Sequence, residues 1–300
     1  EESRKRQIIG KRKSLFDGVP IVWKDMIDIT YAPAYAGSKV LNMFRNKSLV
    51  KNSAIFLRAK KNGLISLAKT STVELAFGGI GINNTCKLPP NLMIPGGYAP
   101  GGSSTGSATA VYSGLAPLGI GTDTAGSIRI PAAWHGLIGF KPSLNILPMR
   151  GVVPLSKSND TLGIICRGVK DAQVIYNILS NKKTNYFKED FKDINLILVE
   201  NLTYQNIDTE KRNIFDTLIS DLERNGFNVY KNCYKELVEL NKLIKEKGSI
   251  VNYEAWNYWK GKIKNDLSSI DPFVKDRLEE GKNIKLGTKR KIEKAILKLK

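Results

Sequence analysis

The sequence predicts an α/β fold, and three observations carry that prediction. The apolar run Gly18-Val19-Pro20-Ile21-Val22-Trp23 reads as a short buried strand. Asn52 to Lys61 has helical spacing and Leu64-Ile65-Ser66-Leu67 reads as a second strand, so strand, helix and strand alternate as they do in α/β proteins. Further along, Ile194 to Val199 reads as a strand that leads into an amphipathic helix.

Taken in order, the first strand ends on Lys24-Asp25. After the second strand comes a Gly- and Pro-rich region, Gly78 to Gly106, with little periodicity, which is expected to be a folded, site-forming loop system. The small residues Ser107 to Ser113 suit a closely packed helix, and Pro117 to Gly121 and Gly136 to Phe140 suit strands. A helix is predicted over Asp171 to Leu179, with Val174, Ile175, Ile178 and Leu179 on one face.

The helix after Val199 starts at an Asp208 or Thr209 cap, turns Ile214, Phe215, Leu218, Ile219 and Leu222 inward, and ends at Gly226. From about residue 235 the chain becomes charged and helical, with Asp271-Pro272 as a helix start and Gly281 as a stop. Tyr253, Trp256, Tyr258 and Trp259 are read as an aromatic face packed on the core. The expected division is a basic segment 1–15, an α/β core 16–235 and a charged helical segment 236–300.

With 300 residues and 42% hydrophobic content, the chain can bury a sizeable core, which excludes wholesale disorder. The three cysteines, Cys86, Cys166 and Cys233, are odd in number and lack CxxC or Cys/His spacing, so neither a disulfide framework nor a metal site is expected. No run of eighteen apolar residues and no signal-type segment is present. A cytoplasmic location and no membrane partner are the expectations. The net charge of +19 raises a nucleic-acid partner, but lysine is spread along the chain among abundant Asn and Ile rather than set as arginines between aromatics. Composition is the preferred account of the charge.

Two serine-bearing turns carry the chemistry: Gly101-Gly102-Ser103-Ser104-Thr105-Gly106 and Gly121-Thr122-Asp123-Thr124-Ala125-Gly126-Ser127. Such turns expose hydroxyls and offer backbone N–H groups to a developing oxyanion. The first lacks the lysine that a phosphate loop places after its last glycine, which argues against a nucleotide site. It also matches GxSxG, with Ser104 as nucleophile, but that arrangement needs a histidine. His135 is the single histidine, and its apolar neighbours mark it as a packed core residue. A lysine is then the available base, once burial has lowered its proton affinity. Among 47 lysines and arginines, Lys24 stands out because it directly follows an apolar strand.

Gly101-Gly102-Ser103-Ser104, the run Gly121 to Ala133 (GTDTAGSIRIPAA) and Gly139-Phe140-Lys141-Pro142-Ser143 together resemble the amidase signature family of serine hydrolases. Gly18 to Asp25, Ala68-Lys69-Thr70, Glu74 to Gly78 and Asp160-Thr161-Leu162-Gly163 extend the resemblance over roughly residues 16 to 180. It implies a mixed β-sheet core flanked by helices, incomplete at both ends relative to the family. It also implies Ser127 as nucleophile, Ser103 as a bridging serine after a cis peptide bond, and Lys24 as the base of the relay. The N–H groups of Thr124, Ala125, Gly126 and Ser127 would form the oxyanion hole, and Phe77 would line the acyl pocket. Asp123 and Arg129 would brace the loop.

Thr105 and Ala125 stand where the family often has glycine, and Ile164 where it often has proline; none of these removes a catalytic group. The activity implied is hydrolysis of a linear carboxamide without metal or cofactor, acting on a small-molecule amide as a monomer or homodimer. The alternative is the glutaminase component of a tRNA-dependent amidotransferase, with partner subunits. A third reading is an inactive fragment, since family members extend further at both ends.

Overall fold

The structure, a computed structural model, describes residues 1–44, 46–94, 96–182, 194–204, 207–263 and 267–299. In chain order its elements are α1 (Glu2–Ile8), β1 (Pro20–Lys24), α2 (Lys39–Phe44), α3 (Ala54–Lys61), β2 (Ile65–Thr70), α4 (Thr105–Tyr112), β3 (Leu118–Asp123), α5 (Arg129–Ala133), β4 (Ile138–Phe140), β5 (Thr161–Cys166), α6 (Val169–Ser180), β6 (Asn195–Val199), α7 (Glu200–Thr203), α8 (Thr209–Arg224), β7 (Asn228–Asn232), α9 (Lys235–Lys247), α10 (Ile250–Trp259), α11 (Pro272–Asn283) and α12 (Leu286–Leu297). They form two compact units, Glu1–Thr184 with Ile250–Asn283 and Asn185–Ser249 with Ile284–Lys300. The charged helical segment after residue 236 is therefore shared between the units.

The first unit is built on a five-stranded mixed sheet in the order β2-β1-β3-β5-β4. β1 runs parallel to both neighbours, and β5 runs antiparallel to β3 and β4. The central strands β3 and β5 are buried along their whole length, as strands covered on both faces must be. One core gathers Ile21, Trp23, Ile55, Phe56, Ile120, Leu162 and Ile164 with Ile175 and Leu179 of α6. Each such side chain contributes roughly 1.5–3 kcal/mol on leaving water. Trp23 buries its ring and still donates Nε1–H to Ser66 Oγ at 2.9 Å, so its one polar group is not stranded.

α4 lies against the sheet because both surfaces are made of small residues. A Cβ on Gly119 would stand 3.1 Å from the Ser107 carbonyl oxygen, and Ser107 Oγ donates to the Ile120 carbonyl at 3.2 Å. Ser53 caps α3 by accepting from Phe56 N–H. α6 ends where Asn181 takes a left-handed φ of 58°, a conformation that asparagine tolerates better than most residues.

α10 and α11 pack on a second core that holds Met26, Phe77, Leu155, Trp259, Val274 and Leu278. Trp256 and Tyr258 lie partly buried against it, so most of the expected aromatic face does pack inward. Pro272 opens α11 as expected, but Gly281 does not close it. It lies inside the helix, and a Cβ there would meet the Asn252 carbonyl at 2.0 Å. That glycine is fixed by close approach of α10, not by helix termination.

In the second unit β6 and β7 pair in parallel, Asn195 with Asn228 through Val199 with Asn232. Asp208 caps α8 by accepting from Lys211 N–H, and Gly226 follows its end at φ 89°. The inward face predicted for α8 is narrower than expected. Ile214 and Leu218 are 64% and 51% exposed, which leaves Phe215, Ile219 and Leu222, one residue per turn, as the half-buried stripe.

Candidate active site

Lys24 is the last residue of β1, and the sheet brings its end beside the ends of β3 and β5. Its side chain is fully buried. Nζ lies 2.6 Å from Ser103 Oγ, 2.8 Å from Thr122 Oγ1 and 3.3 Å from the Thr122 carbonyl. Burial pulls the Lys24 proton affinity down to about 7, against the opposing pull of Asp160 and then Asp123. A neutral amine has two N–H donors and one lone pair. In the ammonium form Nζ donates to all three oxygens; in the neutral form, with both donors kept on the two Thr122 oxygens, the lone pair would be left for the Ser103 hydroxyl.

Ser103 follows a cis Gly102–Ser103 peptide bond. Its carbonyl accepts from Thr72 Oγ1 at 2.8 Å and from Val73 N–H at 3.3 Å, which pins the turn to the chain after β2. Gly102 is required for space: a Cβ there would come within 2.9 Å of Gly81 N and 3.0 Å of the Gly78 carbonyl. Thr105 closes the turn by donating Oγ1–H to the Gly101 carbonyl at 2.6 Å. Ser104 spends its hydroxyl on the Thr122 carbonyl at 3.3 Å, and its N–H donates to the Ser127 carbonyl at 3.1 Å. That last bond ties the two serine turns together.

Around Ser127 the organiser is Asp123, which is fully buried. Its carboxylate accepts from Gly126 N–H at 2.7 Å, Ile128 N–H at 3.1 Å and, bidentately, from Arg129 at 2.9 and 3.0 Å. Burial pushes this carboxyl up, but the Arg129 and backbone donors outweigh it and hold the group below the ordinary carboxylate value. The Ser127 hydroxyl makes no hydrogen bond among the described residues, although the residue is only 9% exposed. The N–H groups of Thr124, Ala125 and Ser127 likewise donate to no protein group among them. Gly126, expected as a fourth oxyanion donor, differs because its N–H is already committed to Asp123.

Phe77 follows Leu75 and Ala76, which both take left-handed φ of 52° and 60°. It lines a cavity of about 70 Å³ with Val73, the 78–82 loop and Arg277 of α11. Gly79 joins this wall to the first serine turn, since its carbonyl accepts from Gly102 N–H at 2.7 Å. His135 is buried, with Nδ1 2.9 Å from the Pro131 carbonyl and its ring edge-on to Tyr112.

Two contributors do not stand out in the sequence. Thr122 is one, its only signal being its place in the strand next to that of Lys24. Asp160 is the other, visible only as part of a motif. It accepts from Thr124 Oγ1 at 2.5 Å and from the N–H groups of Leu155 and Ser156 at 2.9 to 3.1 Å. Among the described residues no three His, Cys, Asp or Glu side chains are grouped to hold a metal ion, and no helix is long and apolar enough to cross a membrane.

The fold is that of the amidases. The chain matches a crystal structure of an amidase with a TM-score of 0.89 and 27% identity, over 98% of this chain and 65% of that one. The amidase family model matches residues 1–281, and the chain belongs to that family. Indoleacetamide hydrolase from Pseudomonas syringae pv. syringae is 34% identical over 227 residues, which is 76% of this chain and 50% of that protein. Mandelamide hydrolase from Pseudomonas putida is 31% identical, over 75% of this chain and 44% of that protein. A glutamyl-tRNA(Gln) amidotransferase subunit from Halothermothrix orenii (strain H 168 / OCM 544 / DSM 9562) is also 31% identical, over 70% and 46% respectively. The chain thus spans about half the length of these curated relatives.

Proposed function

We propose that this chain carries the catalytic centre of a hydrolase of linear carboxamides, with Ser127 as nucleophile and Lys24 as base acting through Ser103. The observation that carries the reading is Lys24, buried 2.6 Å from Ser103 Oγ with no carboxylate at ion-pair distance among the described residues. A lysine whose proton affinity sits near 7 is neutral in a large share of molecules at neutral pH, which is what a general base requires.

In the first step Ser127 Oγ bonds to the amide carbon while its proton passes to Ser103 and the Ser103 proton passes to Lys24. The carbonyl oxygen becomes an oxyanion, which the N–H groups of Thr124, Ala125 and Ser127 are placed in sequence to receive. Collapse of that intermediate breaks the C–N bond as the proton returns through Ser103 to the leaving nitrogen, giving ammonia or an amine and an acyl ester on Ser127. Water then attacks the ester by the same relay, and carboxylate leaves.

The test is incubation of the folded chain with a fluorophosphonate, followed by peptide mass mapping. Ser127 should carry the label, and a folded protein that stays unlabelled would sink the reading. Indoleacetamide and mandelamide, for which two relatives are named, are the first substrates to assay. Glutamine belongs in the same panel, because release of ammonia from it would favour the amidotransferase alternative.

A further inference from the structure

We propose that Asp160 is the positioning residue of this site: one carboxylate that orients the Thr124 end of the Ser127 turn and supplies the unpaired negative charge that faces Lys24. The inference rests on the amide-hydrolase reading above and adds to it a residue with no place in the serine and lysine relay.

Strand order makes the placement. β3 lies between β1 and β5, so the C-terminal end of β1, the C-terminal end of β3 and the N-terminal end of β5 meet at one edge of the sheet. Lys24 ends the first, Thr122 and Asp123 end the second, and Asp160 immediately precedes Thr161 at the start of the third. From there Asp160 accepts the Thr124 hydroxyl at 2.5 Å, next to a backbone N–H assigned to the oxyanion. Leu155 and Ser156 N–H groups hold the same carboxylate from the other side. Asp160 is 6% exposed, so these bonds form away from competing water.

The charged groups near Lys24 divide cleanly. Asp25, next to it in sequence, pairs with Lys69 of β2 at 3.5 Å. Asp123 of β3 pairs with Arg129 at 2.9 Å. Asp160 has no Lys or Arg within ion-pair distance among the described residues, and it acts most strongly on Lys24 of the two carboxylates that do so. Burial pushes the Asp160 carboxyl up, while Thr124 and the two backbone donors support its ionised form. The same carboxylate thus connects the oxyanion loop to the base.

The readout is the rate of Ser127 labelling by a fluorophosphonate as a function of pH, which needs no knowledge of the substrate. Asp160→Asn keeps an acceptor for Thr124 and removes the charge. Without that charge the Lys24 ammonium loses its support, so the acid limb of the profile should move to lower pH by roughly half a unit or more. Thr124→Val keeps the charge and removes the hydroxyl; the rate should fall roughly tenfold with the acid limb unmoved.

Glu254→Gln serves as the comparison, because Glu254 holds the same loop through Ser156 Oγ at 2.8 Å and Ser158 N–H at 3.0 Å. Its acid limb should stay at the wild-type position. A folded D160N protein whose rate and acid limb match the wild type overturns the proposal, and so does an equal shift in Glu254→Gln, which would mean loop loosening. If D160N melts early, Thr124→Val decides: an unchanged labelling rate overturns the proposal, and a reduced rate supports it. Absence of labelling in the wild-type protein would instead remove the amide-hydrolase reading itself.

Discussion

The two serine turns use the same residue type in opposite ways. Ser103 is wholly buried and its hydroxyl meets Lys24 at 2.6 Å, whereas Ser127 retains some exposure and its hydroxyl is engaged by no described residue. The first turn is held by Gly102, for which any side chain would strike the 78–81 loop, and by the Thr72 hydroxyl. The second is held by two carboxylates, Asp123 taking the N–H groups of Gly126 and Ile128 and Asp160 the Thr124 hydroxyl. A hydroxyl already bonded to a base suits proton relay. One left free above a loop whose Thr124, Ala125 and Ser127 N–H groups meet no described partner suits attack on a carbonyl.

That contrast breaks most sharply at Ser127. Ser127→Ala should abolish fluorophosphonate labelling and lower amide turnover by roughly 10⁴-fold or more, with the melting temperature close to wild type because no hydrogen bond is lost. Ser103→Ala should be milder, a fall of roughly 10²- to 10⁴-fold, since the nucleophile survives and only its proton path is cut. Slow labelling should persist in this variant. If Ser103→Ala removed labelling as completely as Ser127→Ala, the division of roles would be wrong.

Lys24 sharpens the comparison through stability. Its proton affinity falls from the ordinary lysine value of 10.5 to about 7 on folding. Between those values the unfolded chain holds a proton that the folded chain lacks, so stability rises with pH across that window. Below about 7 the folded protein carries a buried ammonium and the penalty is complete. Lys24→Met removes the penalty but strands the Thr122 oxygens; the net gain at pH 7 should be about 2 kcal/mol, at the cost of catalysis. Urea melts at about pH 7 and about pH 10 check this, because the advantage of the variant should shrink at the higher pH. An advantage that grew with pH would show that burial is not what lowers the lysine.

Much of this site is legible in the sequence because its residues break local patterns. Lys24 is a charge at the end of an apolar strand, and Ser103 and Ser127 stand in glycine-rich turns that no helix or strand would tolerate. Phe77 and the oxyanion segment come through resemblance. Thr122 escapes notice because a threonine in a strand of small residues breaks no pattern, and its role appears only when β1 and β3 are set side by side. Asp160 escapes for a related reason: its partners, Thr124 and Lys24, are reached across the sheet.

The elements around the site behave in the same way. Strands such as β1 and β6 are legible from their apolar runs, but α5 and β5 are not. α5 is a five-residue helix containing a proline, too short to show a period, and β5 is buried on both faces and so shows no alternation. Gly281 misleads because a glycine near a helix end usually marks termination, whereas here α10 presses against it. Ile214 and Leu218 mislead because helical spacing allows a wide apolar face and the packing uses only its centre.

The smallest expected effect lies in the brace of the second turn. Arg129 is 53% exposed at its side chain, while its partner Asp123 is fully buried. Replacement by glutamine keeps the backbone donors of Gly126 and Ile128 on the carboxylate, so the cost in stability should be about 1 kcal/mol. Asp123 would then face Lys24 without the guanidinium that now offsets its charge. Lys24 would hold its proton more tightly, and the acid limb of the labelling profile should rise by roughly a few tenths of a unit. The sign is opposite to that expected for Asp160→Asn, because one variant frees a negative charge and the other removes one. A downward shift in Arg129→Gln would mean that the loop, and not the charge on Asp123, transmits the change to the base.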